Sequence, residues 1–540
     1  MCGILGTTAI RSKEYISSLS SRMSHRGPDE REVVITKLGA LSHERLAIVD
    51  LNTGRQPIQG TRNTWVIHNG EIYNHKQLHA EDLKGKYACR TTSDSEVIVH
   101  LYEEYGTQFC DKLDGIFAFV VMDEDKGVVM AGRDPIGVKP LYFGYDKDGK
   151  IWFSSEMKVI IDEVIKVEVF PPGHYYHNEK GFVKYYHPKW DTLPAVQKDP
   201  TGLRELLTKA VEKRLMCDVP FGVLLSGGLD SSLISSIVAR KLKSEGKEVH
   251  SFSIGLSPDA PDLKAARKVA EFLGTIHHEV YFSIEEGIAM ADKLIWHLES
   301  YDVTTLRAST PMYFLTKYIR EKGFKMVLSG EGADEVFGGY LYFYNAPSLV
   351  EFQEETKRRV KLLYTADVLR ADKSTMANAI EVRVPMLDKA FLEKSIQLSP
   401  ELKFPRRPKG DDKGQIEKYV LRAAFDDKEN PYLPEDILWR QKEQFSDGVG
   451  YGWIDGFKDY CEKAVSDSEF KKAEQLFPYN TPQTKEAFYI RCIFEKHFGK
   501  AESEKTVFPW VPKWQANADP SGRANTVHEQ SIEDLTTEKV

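Results

Sequence analysis

Two groups of residues in this chain could do chemistry. The first begins at Cys2, which is followed by Gly3 and Ile4. A small second residue favours removal of the initiator methionine. The cysteine so exposed would carry a free α-amine with a pKa of roughly 7.7–8.0, low enough to serve as a base near neutrality. Nucleophile and base would then sit on one residue. The second group is the run Ser226-Gly227-Gly228-Leu229-Asp230-Ser231-Ser232. Small residues in a tight turn ahead of a helix aim backbone N–H groups and the positive helix end at an anion. The Gly-Lys-Ser/Thr ending of the Walker loop is missing, so the usual phosphate-loop NTPase reading does not apply. Asp230 is unsuited to touching phosphate directly, but it could do so through a magnesium ion. Two glycines alone would mark no more than an ordinary strand-to-helix turn; the full run is far more specific.

The elements that must hold these residues follow from periodicity. Val223, Leu224 and Leu225 form a short apolar run suited to a buried parallel strand, and Leu233, Ile234, Ile237, Val238 and Leu242 recur at helical spacing. Further strands are predicted at 249–254, 279–282 and 326–328, with helices at 203–215, 263–273, 285–296 and 311–321. This alternation predicts an α/β, doubly wound parallel sheet, whose ligands sit beyond the carboxyl ends of the strands. Three polar turns fall at those ends: 226–232, Ser253-Ile254-Gly255, and Ser329-Gly330-Glu331-Gly332-Ala333-Asp334-Glu335. Upstream the pattern is mostly strand, with hairpins predicted at 116–131 and 141–153 and a helix near 97–105. Proline and glycine punctuation between Trp190 and Gly202 places a boundary there, giving two domains, 1–195 and 196–518. Amphipathic helices are read at 356–370 and 415–425, and residues 404–413 form a basic, loop-like stretch. Beyond Trp514 the chain is polar, and 519–540 reads as a disordered tail.

Cys2 is followed by three further segments: His25-Arg26-Gly27-Pro28-Asp29, His43-Glu44-Arg45-Leu46-Ala47-Ile48-Val49-Asp50, and Asn69-Gly70-Glu71-Ile72-Tyr73-Asn74. In this order they resemble the glutaminase domain of class II glutamine amidotransferases. The resemblance implies an N-terminal-nucleophile α/β/β/α sandwich in which Cys2 attacks the amide carbon of glutamine. The Asn69 side chain and the Gly70 N–H would form the oxyanion hole, where one lost donor typically costs on the order of 3 kcal/mol. Arg45 would pair with the glutamine carboxylate. Glu71, or Asp94 in Thr91-Thr92-Ser93-Asp94-Ser95-Glu96, would accept from its ammonium group. Leu46, Ile48 and Val49 would line the same site. His68 reads as a structural strand histidine.

The runs 226–232 and 329–335, the latter continued by Val336-Phe337-Gly338-Gly339-Tyr340, and the run Arg440-Gln441-Lys442-Glu443-Gln444-Phe445-Ser446-Asp447 resemble asparagine synthetases of the glutamine-hydrolysing type. The match extends from Met1 to Asp519-Pro520-Ser521-Gly522-Arg523. It implies a PP-loop type adenine-nucleotide domain using ATP and Mg2+ to adenylate aspartate on its side chain, after which ammonia displaces AMP. Leu224, Ile254, Ser329 and Gly330 would hold adenosine. Ser226, Gly227, Gly228, Ser231 and Ser232 would cradle the phosphates, and Asp230 and Asp334 would bind magnesium. Lys442 would face the phosphates and the intermediate, and Glu331 would take a proton from the attacking ammonia. Thr304, Thr305 and Arg307 would hold aspartate or phosphate. The stretch 404–413 is longer and more basic than the family pattern, and no ligand contact is assigned to it.

Composition sets outer bounds. A chain of 540 residues has room for more than one core. A net charge of −8 gives no reason to propose nucleic acid or an acidic membrane as a partner. No apolar run reaches the roughly 18 residues of a membrane span, and no secretory leader is read at the N-terminus. None of the 6 cysteines forms a Cys-x-x-Cys pair, so their spacing suggests neither a zinc site nor a disulfide framework. A reducing cytoplasm is the expected compartment. The expected partners are small molecules (glutamine, aspartate and ATP), and the oligomeric state stays open, a homodimer included. Three alternative readings remain. A phosphoribosyl amidotransferase would need a phosphoribosyl-pyrophosphate motif in place of 226–232, a ring-closing synthetase similar to β-lactam synthetase would lack Cys2, and a scaffold protein would show decayed motifs. Two chemistries on one chain call for an enclosed ammonia passage, which nothing in the sequence locates.

Overall fold

The computed structural model describes residues 2–407, 414–442, 448–450 and 452–514. The centre of the basic stretch at 408–413, the end of the Arg440 motif at 443–447 and the tail at 519–540 lie outside the described residues.

Residues 3–184 build two antiparallel sheets from short, alternating or wholly apolar strands. These are β1 (Gly3–Thr7), β2 (Glu30–Thr36), β3 (Gly39–Arg45), β4 (Ile58–Gln59), β5 (Thr64–Ile72), β6 (Gly115–Asp123), β7 (Val128–Arg133), β8 (Tyr142–Tyr145), β9 (Ile151–Ser154), β10 (Lys166–Val169), β11 (His174–His177) and β12 (Gly181–Lys184). The orders are β10-β8-β9-β1-β3-β2 and β12-β11-β7-β6-β5-β4. Ile4, Leu41, Ile67, Val120 and Phe153 from both sheets share one core between them. Val97, Leu101, Phe117, Phe119 and Val121 form another, where the helix Glu96–Tyr105 covers the second sheet. The helix Lys13–Ser20 packs on the first sheet through Ile16 and Leu19. The result is the expected α/β/β/α layering. It explains why β6 reads as an unbroken apolar run, since both of its faces are covered.

Downstream, β13 (Phe221–Leu224), β14 (His250–Gly255), β15 (Ile276–Tyr281), β16 (Met326–Leu328) and β17 (Glu381–Arg383) form a parallel sheet in the order β15-β14-β13-β16-β17. The strand order reverses between β13 and β16, so the crevice beyond their carboxyl ends is the place where such sheets bind ligands.

Four helices differ from the periodicity reading: the one read at 285–296 is broken at Met290 into Ile284–Ala289 and Ala291–Leu298, the one read at 415–425 begins at Tyr419, and two more differ as follows. The helix predicted from Pro311 starts eight residues earlier, at Val303, where the Asp302 carboxylate caps it by accepting from the Thr305 N–H at 2.7 Å. Pro311 lies in its interior and has no N–H for the Arg307 carbonyl one turn back. The indole Nε1–H of Trp453 donates to that carbonyl at 2.8 Å and fills the gap. The helix read at 356–370 is two, Leu349–Leu362 and Asp367–Met376, the first capped by Ser348. Among the described residues no helix is long and apolar enough to cross a membrane.

Candidate active sites

Cys2 enters β1 between the two antiparallel sheets. Its backbone N–H donates to Asn69 Oδ1 at 2.9 Å, across the sandwich from β5. Its carbonyl accepts from Arg26 Nε at 3.0 Å. Arg26 is fully buried and is itself held by Glu156 at 3.1 Å and Asp372 at 2.8 Å. The run His25–Asp29 therefore pins the start of β1. Asp29 adds a second tie, accepting from the Ala47 N–H at 2.9 Å and from Lys325 Nζ at 2.6 Å. Burial pushes the Cys2 thiol pKa up, so forming the thiolate requires a base. Gly70 sits at φ +138°, and a Cβ there would lie 1.9 Å from the Ile116 carbonyl oxygen. Only glycine keeps β5 paired with β6 at this point.

Arg45 closes β3, with Nη2 donating to the Asp50 carbonyl at 2.5 Å and Nη1 lying 3.4 Å from Glu30. Its charge reaches Cys2, where it favours the thiolate. Asp50 accepts from the N–H groups of Thr53 and Thr92, each at 2.8 Å. Burial alone would raise its pKa, but these bonds hold it at about 2. Asp50 thus clamps the 46–54 loop to the loop carrying Asp94, a role its position at the end of a motif did not reveal. Asp94 is buried and accepts from the Ile72 N–H at 2.7 Å. The Leu46 carbonyl is 4.0 Å from Cys2 Sγ, the Ile48 carbonyl accepts from the Asp218 N–H at 2.8 Å, and Val49 packs against the core. Glu71 departs from expectation. Its Oε1 forms an ion pair at 3.0 Å with Arg383 of β17, and only Oε2 is without a hydrogen-bond partner among the described residues. His68 is buried, with Nδ1 2.9 Å from Ser95 Oγ, as a structural histidine should be.

The second region lies at the β13/β16 crevice. The turn after β13 is closed by Ser231 Oγ, which accepts from the Ser226 N–H at 3.2 Å. The helix Leu229–Ser244 follows with Gly228 as its N-cap. The turn after β16 approaches it so closely that a Cβ on Gly330 would lie 2.7 Å from the Ser231 nitrogen. Between them opens a cleft. Leu224, Phe252, Ile254, Ala308, Met312 and Leu315 give it an apolar side, and Ser226, Asp230, Ser231, Glu331, Asp334 and Lys442 a polar one. Apolar walls with a few convergent polar groups are what a small-molecule site requires.

Asp230 and Asp334, read from the sequence as a metal pair, are joined by one ammonium. Lys418 Nζ lies 2.5 Å from Asp230 and 2.6 Å from Asp334, and Lys442 Nζ lies 3.0 Å from Asp334. Burial would raise Asp334, but the two lysines hold its pKa at about 2. Asp230 Oδ1 is buried with no hydrogen-bond partner among the described residues, so an acceptor is left facing this cationic point. A buried carboxylate oxygen without a hydrogen-bond partner, on one of two adjacent acids, is the oxygen-donor chemistry that a hard divalent cation takes. Glu331 is gripped by Arg370 Nη2, 3.2 Å from both oxygens, yet burial pushes its pKa up. Arg440, quoted only as part of a motif, supports the loop by donating to the Gly227 carbonyl at 3.1 Å.

Three expected contacts are not made. Arg307 is turned away from the cleft into a buried bidentate pair with Glu486, at 2.8 and 2.6 Å. Ser232 is fully buried behind the turn, its N–H bonded to the Gly228 carbonyl at 3.1 Å. The Thr305 N–H serves the helix cap and its side chain does not line the cleft, whereas Thr304 does; the hydroxyls of both are buried without hydrogen-bond partners among the described residues. Sequence reasoning missed Lys418, Arg370, Tyr340 and Trp510, all of which face this region. Tyr340 stood inside a quoted motif, and the other three carried no local signal.

Comparisons with known proteins agree with both halves. Residues 1–185 match the family described as glutamine amidotransferase domain, and residues 202–354 and 346–519 match the family described as asparagine synthase. The chain is 52% identical to a probable glutamine-hydrolysing asparagine synthetase of Dictyostelium discoideum, over 99% of this chain and 100% of that protein. It is 49% identical to asparagine synthetase 2 of Oryza sativa subsp. japonica, over 99% of this chain and 94% of that one. It is 50% identical to asparagine synthetase 3 of Arabidopsis thaliana, over 100% of this chain and 98% of that one. A Cys2 backbone held against Asn69, a cleft with one apolar side at the switch point of a parallel sheet, and full-length similarity at this level place the chain in the family of glutamine-hydrolysing asparagine synthetases.

Proposed function

We propose that this chain converts ATP, L-aspartate, L-glutamine and water into AMP, diphosphate, L-asparagine and L-glutamate, with residues 1–195 as the glutaminase and 196–518 as the synthetase. The observation that carries this reading is the pairing, on one chain, of Cys2 held on Asn69 with a cleft whose acidic pair and two lysines lie beside an apolar wall.

Cys2 Sγ attacks the glutamine amide carbon, its proton passing to the α-amine freed by loss of Met1. The tetrahedral oxyanion accepts from Asn69 Nδ2 and the Gly70 N–H. Collapse expels ammonia, and water then releases glutamate from the thioester. Arg45 holds the substrate carboxylate and Asp94 its ammonium. In the cleft, Leu224, Ile254, Ser329 and Gly330 hold adenosine, and Ser226, Ser231 and Lys442 the phosphates. The aspartate β-carboxylate attacks the α-phosphorus and diphosphate leaves. Ammonia then attacks the β-aspartyl-AMP carbonyl, Glu331 takes a proton from it, and AMP departs. Asp230 and Asp334 are the residues that would hold Mg2+, whose charge neutralises the departing diphosphate. Their present partner Lys418 keeps the two acids compatible.

The deciding experiment is Cys2→Ala. Glutamine-driven synthesis should be lost and ammonia-driven synthesis kept, with AMP as the nucleotide product. Loss of both activities in a folded protein, or ADP as product, would overturn the assignment.

A further inference from the structure

The segment between β5 and the end of the helix Glu96–Tyr105 carries three groups that neither site uses. His79, Cys89 and His100 each present one ligand atom, and these atoms lie within 4.8 Å of one another. They come from separate places: the short helical segment Leu78–Asp82, a loop, where Cys89 is exposed, and the buried side of the helix Glu96–Tyr105. His79 is held from outside by a hydrogen bond, and His100 by burial and ring stacking. His79 Nε2 is 2.8 Å from the Tyr87 carbonyl. A carbonyl only accepts, so Nε2 carries the proton and Nδ1 the lone pair. His100 is 1% exposed, and its Nδ1 has no hydrogen-bond partner among the described residues. Its Nε2 faces Glu96 Oε1 at 3.8 Å. The Tyr87 ring stacks on His100, centroids 5.0 Å apart, and fixes the plane of the imidazole. His79 thus has the backbone acceptor on one ring nitrogen that orients metal-ligating histidines, and His100 has a buried ring nitrogen with no partner among the described residues.

We infer that His79, Cys89 and His100 form a binding site for a divalent transition ion of the zinc class, with water completing the coordination. Two imidazoles and a thiolate are ligands for zinc, whereas magnesium prefers oxygen donors such as the Asp230–Asp334 pair. Cys89 would bind as the thiolate, its proton passing to solvent. The ion joins the helix Glu96–Tyr105 to the chain ahead of it, across the loop that carries Asp94. No Cys-x-x-Cys spacing announces the site, because its ligands meet only in the folded chain.

The full chain, stripped with a chelator and reloaded, tests this. One zinc per chain should survive gel filtration. The cobalt form should show tetrahedral visible absorption and a thiolate-to-cobalt charge-transfer band. Cys89→Ser, at an exposed position, should abolish that band and weaken zinc binding at least about tenfold, and His79→Gln should weaken it by a similar factor. Cys2→Ala and Cys492→Ser should leave both readouts unchanged. Failure of the wild-type chain to retain one zinc, an intact band in Cys89→Ser, or its loss in Cys2→Ala would overturn the assignment.

Discussion

Asn69→Asp separates the two jobs given to one side chain. Asn69 is fully buried, and its Oδ1 accepts from the Cys2 N–H at 2.9 Å. That bond fixes the amide so that Nδ2 is the end left to donate. Its nearest recorded acceptor, Ser155 Oγ, is at 3.4 Å, long enough that Nδ2 is free to turn to a substrate oxygen. Aspartate keeps the acceptor toward Cys2 and removes the donor. Losing one oxyanion donor costs about 3 kcal/mol, or 10²–10³ in rate. The loss should appear in kcat for glutamine hydrolysis rather than in KM, because the donor acts on charge that exists only in the transition state. Residual activity should survive on the Gly70 N–H. Ammonia-driven asparagine formation, measured by pyrophosphate release in the same preparation, should stay within about twofold of the wild type. Asn69→Ala, which also frees the Cys2 N–H, should be worse than Asn69→Asp. A fall in glutamine hydrolysis of less than about tenfold, or a parallel fall in ammonia-driven synthesis, would refute the reasoning.

Two further substitutions probe the charge arrangement. Lys418→Met removes a fully buried ammonium from between Asp230 and Asp334. Breaking a buried pair of this kind costs roughly 3–5 kcal/mol, so the melting temperature should drop without magnesium and recover in part with it; an unchanged melting temperature would count against the bridge. Asp388 is buried against Arg214, 2.9 Å away, and against Lys213, and these cations hold its pKa at about 2 despite burial. A depressed carboxylate pKa stabilises the fold above the unfolded value of 3.8 and loses that contribution as pH falls toward 2. Asp388→Asn should therefore unfold in urea with a stability lower by roughly 2 kcal/mol at pH 7, and the gap should close between pH 4 and pH 2.

What could be read from the sequence was set by how local each signal is. The turn at 226–232 was legible because strand, small-residue turn and helix follow one another, and the β13/β16 crevice follows from that alternation. The four segments around Cys2 were legible as a set, although no single one explains Arg26, whose work depends on Asp372 at the far side of the chain. Lys418 was invisible because its partner Asp230 is 188 residues away, and the sequence around it is an unremarkable Glu-Lys pair. Arg307 was misplaced for the same reason, since Glu486 is 179 residues downstream. Pro311 was read as a helix start by its usual preference, and the compensation came from Trp453, well beyond any local window. Glu71 stood correctly beside Gly70, but its direction was set by an arginine on another sheet.

That arginine shows how closely the two chemistries are built together. The Arg383 carbonyl accepts from the Ser329 N–H at 2.9 Å, beside the Gly330 turn of the cleft. Its guanidinium is paired with Glu71 at 3.0 Å, next to Gly70 and Asn69, and donates to the carbonyls of Arg214 and Met216 at 2.8 and 2.6 Å. The side chain is fully buried, and Glu381 takes its Nε at 2.5 Å. Displacing β17 by the length of a hydrogen bond would leave buried charges unpaired, at a cost of roughly 3–5 kcal/mol. The turn that frames the cleft and the strand that bears Asn69 and Gly70 are therefore set by the same buried residue. Relative movement of the two sheets at this point is disfavoured, so the strand carrying Asn69 keeps its place against the parallel sheet.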